Sequence, residues 1–215
     1  MIQAVILDMD GTMLMTETLS SRAFCKVLSD CGKQLVMNPW GCVQQIGTIG
    51  NMANLKKQYG LWQPLWWLQL KYGLAYRECV CQDGQALPGL LTLLELVKEH
   101  RLPMAVASGS LDKTIKMIIK YLGIRHYFQH LVSSRRLKHN KPFPDVYLEA
   151  ARRLRILPAA CLVVEDSGIG VAAGKAAGMK VIAVPNRFTV NGDFSRADKV
   201  LESLEDLTWG VISSL

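Results

Sequence analysis

The chain has 215 residues, half of them hydrophobic and 20% charged, with a net charge of +7. That length suits one α/β domain carrying an insertion, or two small domains, and the composition excludes disorder over most of the chain. No stretch reaches the roughly 20 apolar residues a membrane span needs.

The first predicted element is a strand, Ala4-Val5-Ile6-Leu7-Asp8. The apolar run is too short for a secretory signal and is followed at once by acids, so a cytoplasmic protein is expected. Residues 16–84 lack strand runs and read as helices. Thr16 to Ser29 has helical periodicity and stops at Cys31-Gly32, while Asn38-Pro39 and Gly60 punctuate later segments. Tyr59, Trp62, Trp66, Trp67, Tyr72 and Tyr76 gather most of the large aromatics there. Trp66 and Trp67 diverge by about 100° on a helix, so only one can pack inside this insert.

From residue 86 onward short apolar runs alternate with helical patterns. Strands are predicted at Met104–Ser108, Leu131–Ser134, Cys161–Asp166 and Lys180–Pro185. Helices are predicted from Pro88 to His100, Leu111 to Leu122, Asp145 to Arg155 and Ile169 to Ala177. Near-continuous apolar strands separated by helices predict an α/β fold: a Rossmann-like parallel sheet with helices on both faces. The expected organisation is a core of residues 1–15 plus 85–215, interrupted by an all-helical insert at 16–84.

Cysteines 25, 31, 42, 79, 81 and 161 form neither a C-x-x-C pair nor a zinc spacing. They are read as small buried apolar residues. The basic runs Arg135-Arg136-Leu137-Lys138 and Arg152-Arg153-Leu154-Arg155 read as a solvated loop and helix face. Charge alone does not choose between nucleic acid, acidic lipid and phosphorylated small molecules. No nucleic-acid-binding motif accompanies it.

In open parallel sheets ligands bind beyond the carboxyl ends of the strands. The first strand ends in Asp8-Met9-Asp10-Gly11-Thr12, the second in Ser108-Gly109-Ser110, and the fourth in Glu165-Asp166-Ser167; Lys141-Pro142 follows the third. Acids brought together repel unless a cation sits among them. Carboxylate oxygens with no nearby cysteine or histidine suit Mg²⁺, which shares its coordination with waters and phosphate. Lys141 and Ser108 can then hold the remaining phosphate oxygens, and Gly11 and Gly109 admit an anion close to the backbone. Ser167 is placed to cap the helix after it.

These residues, in this order, resemble the four motifs of the haloacid dehalogenase-like superfamily. The run from Asn140 to Pro185 is similar to its β-phosphoglucomutase-like and sugar-phosphatase-like branch, and the helical insert resembles the cap of that branch. The resemblance implies Asp8 as nucleophile and Asp10 as general acid and base. It implies Thr12, Ser108, Gly109 and Lys141 as phosphate-binding residues, and Mg²⁺ held by Asp8, Asp10, Glu165 and Asp166. The implied partner is a small phosphorylated metabolite, with no nucleic acid and no membrane, and a monomer is the expected state. A Mg²⁺-dependent phosphatase acting on sugar or polyol phosphates through an aspartyl-phosphate is expected; a hexose-phosphate mutase is the alternative. Dehalogenase-like members lack the acid at the position of Asp10. Phosphonate cleavage would need an imine-forming lysine, for which Lys56, Lys57 and Lys71 qualify by type only. Met15 stands where relatives often carry an acid, and Gln44-Gln45-Ile46-Gly47-Thr48 weakly resembles a loop used for substrate choice.

Overall fold

A computed structural model of the chain describes residues 1–34 and 47–215. Gln44, Gln45 and Ile46 lie outside the described residues. The chain divides into two compact units, one of residues 1–14 and 85–215, the other of residues 15–84.

The larger unit is built on a six-stranded sheet. Its strands are β1 (Ala4–Leu7), β2 (Met104–Ser108), β3 (His130–Ser133), β4 (Cys161–Glu165), β5 (Lys180–Ala183) and β6 (Lys199–Val200). The order is β3-β2-β1-β4-β5-β6 and every pairing is parallel. The expected Rossmann-like α/β class is therefore what the chain adopts. The sixth strand is the addition; two exposed residues at the sheet edge are too short to leave a pattern.

Residues of β1, β2 and β4 are buried throughout, because a parallel strand faces packed helices on both sides. Ile6, Ala105, Ala107, Val163 and Val181 pack with Val146, Tyr147, Ala150 and Val171 in one core. The last four belong to α6 (Asp145–Leu154) and α7 (Gly168–Ala176). Alternate strand residues such as Val5, Leu7, Val106 and Val164 point to the other face and are equally buried. The helices α4 (Leu90–Glu99) and α5 (Asp112–Tyr121) lie near their predicted spans and bury the apolar sides Leu90-Leu93-Leu94-Val97 and Ile115-Ile118-Ile119. Ser167 caps α7 by accepting a hydrogen bond from the Gly170 N–H. The basic runs are partly neutralised: Arg152 and Arg153 pair with Glu149, and Arg136 with Asp112.

The smaller unit contains α1 (Thr16–Asp30), α2 (Gly47–Gln58) and α3 (Leu65–Asp83). Arg22 pairs with Asp83, Lys26 with Glu78 and Lys71 with Asp30, so α1 and α3 run antiparallel. Between them the rings of Phe24 and Tyr72 meet at 4.5 Å, and the Tyr72 and Ser20 hydroxyls at 2.8 Å. Trp66 is exposed, and the Lys71 ammonium lies over Trp67. Lys56 donates to the carbonyls of Leu61 and Gln63 and so ties the α2–α3 turn together. Among the described residues no helix is long and apolar enough to cross a membrane.

Candidate active site

The chain runs from β1 out to β2 and β3, then returns to the far side of β1 with β4. That reversal opens a crevice at the carboxyl ends of β1, β2 and β4. Asp8 follows β1, and its backbone N–H still donates to the Val164 carbonyl at 3.0 Å, carrying the sheet register one residue further. The chain then turns sharply: Met13 N–H bonds the Met9 carbonyl, Gly11 N–H bonds the Leu14 carbonyl, and Gly11 has φ +81°. A Cβ at Gly11 would stand 2.3 Å from Asp166 Oδ2, so only glycine fits both the angle and the space.

Lys141 is brought to the same place by the segment after β3. That segment is folded by a Ser134 hydroxyl bond to Asn140 Oδ1 at 2.7 Å and a Phe143 N–H bond to the Asn140 carbonyl at 3.0 Å. The ammonium donates to Asp8 Oδ1, to Glu165 Oε1 at 2.6 Å and to the Ala107 carbonyl at 3.3 Å. It also lies 4.9 Å from the centre of the Tyr147 ring. Asp8, Glu165 and the Lys141 side chain are all buried. Burial pushes the Asp8 carboxyl well above the ordinary carboxylate range, with Glu165 and Asp10 adding to it and Lys141 opposing. Burial disfavours the charged form of Lys141, but Asp8 and Glu165 outweigh it and hold the ammonium well above its usual range. For Glu165 burial again opposes ionisation, yet Lys141 and the Ser167 N–H keep its pKa below the usual value.

Glu165, expected among the metal ligands, has both oxygens engaged by protein donors. Oε1 accepts from Lys141 and from the Tyr147 hydroxyl at 2.8 Å. Oε2 accepts from Asp166 N–H at 3.0 Å, Ser167 N–H at 2.9 Å and the Ser167 hydroxyl at 2.9 Å. Its visible task is to fix Lys141 and the turn after β4.

Asp10 receives two hydroxyls on one oxygen: Ser108 Oγ at 2.8 Å and Ser110 Oγ at 2.9 Å both donate to Oδ2. Ser110 is itself fixed, its N–H donating to Ser108 Oγ and its carbonyl accepting from Ser133 Oγ. Thr12 is buried, and its hydroxyl points to Asp166 Oδ1 at 3.4 Å. Gly109 has open space where a Cβ would stand, and its carbonyl accepts from Arg135 Nε at 3.0 Å. Asp166 Oδ2 accepts from Asn186 Nδ2 at 2.9 Å.

The expected residues Asp8, Asp10, Thr12, Ser108, Gly109, Lys141, Glu165 and Asp166 thus share one sheet edge, joined in three hydrogen-bonded groups around Asp8, Asp10 and Asp166. Among the described residues no three His, Cys, Asp or Glu side chains are gathered as a ready metal cage. Ser110, Tyr147 and Asn186 escape the sequence reading. Ser110 and Asn186 follow strand ends, where the rule that found Asp8 also applies. Tyr147 reads as one more apolar residue on a helix face.

The family model for haloacid dehalogenase-like hydrolases matches residues 5–184, and the chain belongs to that family. A bifunctional riboflavin kinase/FMN phosphatase of Arabidopsis thaliana is 34% identical over 226 residues. The match covers 96% of this chain but only 55% of that longer protein. A fructose-1-phosphate phosphatase of Escherichia coli is 34% identical over 191 residues, 84% of this chain and 95% of the relative. Among solved structures, a putative β-phosphoglucomutase of Thermotoga maritima superposes with a TM-score of 0.86. It shares 24% identity over the full length of both chains, a likeness of fold.

Proposed function

We propose that this protein is a Mg²⁺-dependent phosphatase that hydrolyses small phosphorylated metabolites, namely sugar or polyol phosphates. The observation that carries the reading is Asp8: a buried carboxylate with Oδ1 held by Lys141 and its second oxygen outside the described hydrogen bonds. A carboxylate fixed by one oxygen presents the other in a defined direction, as a nucleophile must. The named phosphatase relatives in the family support the same reaction class.

Asp8 attacks the phosphorus of a monoester, forming an Asp8 O–P bond as the ester P–O bond breaks. Asp10 gives its proton to the departing alkoxide. Asp10 then takes a proton from a water that attacks the same phosphorus, the Asp8 O–P bond breaks, and orthophosphate leaves. Ser108, the Gly109 N–H and Lys141 balance charge on the transferring oxygens.

The residues fit Mg²⁺. Asp8, the Asp10 backbone carbonyl and Asp166 are hard oxygen donors, and Mg²⁺ is typically held by one or two carboxylates, with waters and phosphate supplying the rest. Burial together with the neighbouring acids Glu165 and Asp10 disfavours the Asp8 anion, a strain a nearby cation relieves. When bound, Mg²⁺ would neutralise phosphoryl charge and favour ionised Asp8. The free cysteines among the described residues suit a reducing, cytoplasmic compartment.

The test is phosphate release from a panel of sugar and polyol phosphates, with and without Mg²⁺, beside conversion of β-glucose 1-phosphate. Mg²⁺-dependent release is the expected result. Isomerisation without release would move the assignment to a mutase, and no reaction with any substrate would remove it.

A further inference from the structure

We propose that Asn186, in the loop after β5, is a positioning residue for Asp166 and the Asp10-Gly11 turn. This inference rests on the Mg²⁺-dependent reading above. The Asn186 amide is engaged at every position it has. Oδ1 accepts from Phe188 N–H at 2.8 Å. The two protons on Nδ2 face two acceptors, Asp166 Oδ2 at 2.9 Å and the Gly11 carbonyl at 3.2 Å. One N–H donor on one side and two oxygens on the other fix the orientation of the amide. A swapped amide would point Oδ1 at a carboxylate and a carbonyl.

The residue's backbone is secured as well. Asn186 N–H donates to Thr189 Oγ1 at 3.0 Å, and its carbonyl accepts from Thr189 N–H at 3.0 Å and Val190 N–H at 2.8 Å. One side chain therefore connects three strand ends: those of β5, β4 through Asp166, and β1 through Gly11. The fit is close, since a Cβ at Gly11 would stand 2.8 Å from Asn186 Nδ2.

Asp166 and the Asp10 carbonyl are two of the three oxygen donors assigned to the ion. Without the amide, the Asp166 carboxylate is freer to rotate and the turn carrying the Asp10 carbonyl loses its tie to β4. Donors that must be ordered when the ion arrives bind it more weakly, and outer hydrogen-bond partners of metal ligands commonly matter about 10–100-fold in affinity. The structural part of Asn186 lies in Oδ1 and the Thr189 turn; the positioning part lies in Nδ2.

Two variants separate these parts. Asn186→Ala removes both. Asn186→Ser keeps a short acceptor for the Phe188 N–H, as serine does in such turns, but withdraws the donor from Asp166. Each is titrated calorimetrically with MgCl₂ alone and assayed for phosphate release across Mg²⁺ concentrations. Both variants are expected to need about tenfold more Mg²⁺ for half-saturation, with KM for the phosphate ester at saturating Mg²⁺ near wild type. A merely structural role would lower the melting temperature or the active fraction and leave the Mg²⁺ midpoint alone. Wild-type-like Mg²⁺ midpoints in Asn186→Ser, with Mg²⁺-dependent turnover intact, would overturn this inference and spare the functional reading. Wild-type turnover that needs no Mg²⁺ would remove both.

Discussion

Gly170 lies flush against Glu165: a Cβ built at Gly170 would stand 1.7 Å from Glu165 Oε1. Alanine is ordinarily better than glycine inside a helix by about 1 kcal/mol, so at an unconstrained site Gly170→Ala would stabilise. Here the carboxylate is fixed by Lys141, Tyr147 and the turn at Ser167 and has nowhere to move. Gly170→Ala is expected to destabilise by about 1–3 kcal/mol through overpacking, read as a lower urea midpoint. A raised midpoint would show that Glu165 is loosely held.

The two acids after β1 are expected to separate kinetically. Asp8→Asn should abolish phosphate release, because no other described carboxylate is joined to Lys141 except Glu165, whose oxygens are engaged. Asp10→Asn should leave substrate binding near wild type and lower kcat by about 10²–10⁴, the range of a general acid. Steady-state kinetics on both variants decides this; turnover by Asp8→Asn at the wild-type rate contradicts the nucleophile assignment.

Ser108 and Ser110 share one acceptor oxygen on Asp10. A hydroxyl has one proton to donate, so Ser108 must release Asp10 when it turns to a phosphoryl oxygen, leaving Ser110 to hold the acid. Ser110→Ala is therefore expected to lower kcat by about tenfold, one charge-assisted hydrogen bond, with KM little changed. Ser108→Ala should raise KM as well. Equal effects of the two substitutions on KM would refute this division of labour.

Asp198 gives a pH dependence remote from the site. It accepts from Lys175 at 2.7 Å and from the Val181 N–H at 2.8 Å, joining the loop before β6 to α7 and β5. Burial raises its pKa, but Lys175 and the Val181 N–H outweigh that and hold it below the usual value. A folded value below the unfolded one, near 3.9, means the contribution is complete above about pH 4 and fades as the pH falls through the folded value. Asp198→Asn should lower stability by about 1–2 kcal/mol at pH 7 and match wild type near pH 2, measured by urea unfolding at the two pH values.

The sheet was legible because apolar strand runs and helix starts such as Pro88 and Asp145 obey local rules. Met104–Ser108 is a strand over the predicted residues, and the other elements differ by a residue or two at their ends. Asp8, Ser108, Lys141 and Asp166 were legible because polar residues at the ends of apolar strands are rarely needed for folding alone. Asn186 was hidden by its own local sense, since an asparagine after Val-Pro and before Thr189 reads as a turn and nothing more. Tyr147 was hidden by its ring, which counts as core until its hydroxyl is seen on Glu165. Glu165 itself was misjudged by composition: a carboxylate beside Asp166 looks like a ligand, and only its donors reveal a different task.

The central position of β1 also constrains how the molecule is made. A ribosome releases the strand bearing Asp8 long before β4, which pairs with one of its two sides. Until Cys161–Glu165 emerges, that side of the nascent strand presents open backbone groups that invite the wrong neighbour. Pairings this distant along the chain close slowly. The strand that ends deepest in the finished protein is thus the one left waiting longest during synthesis.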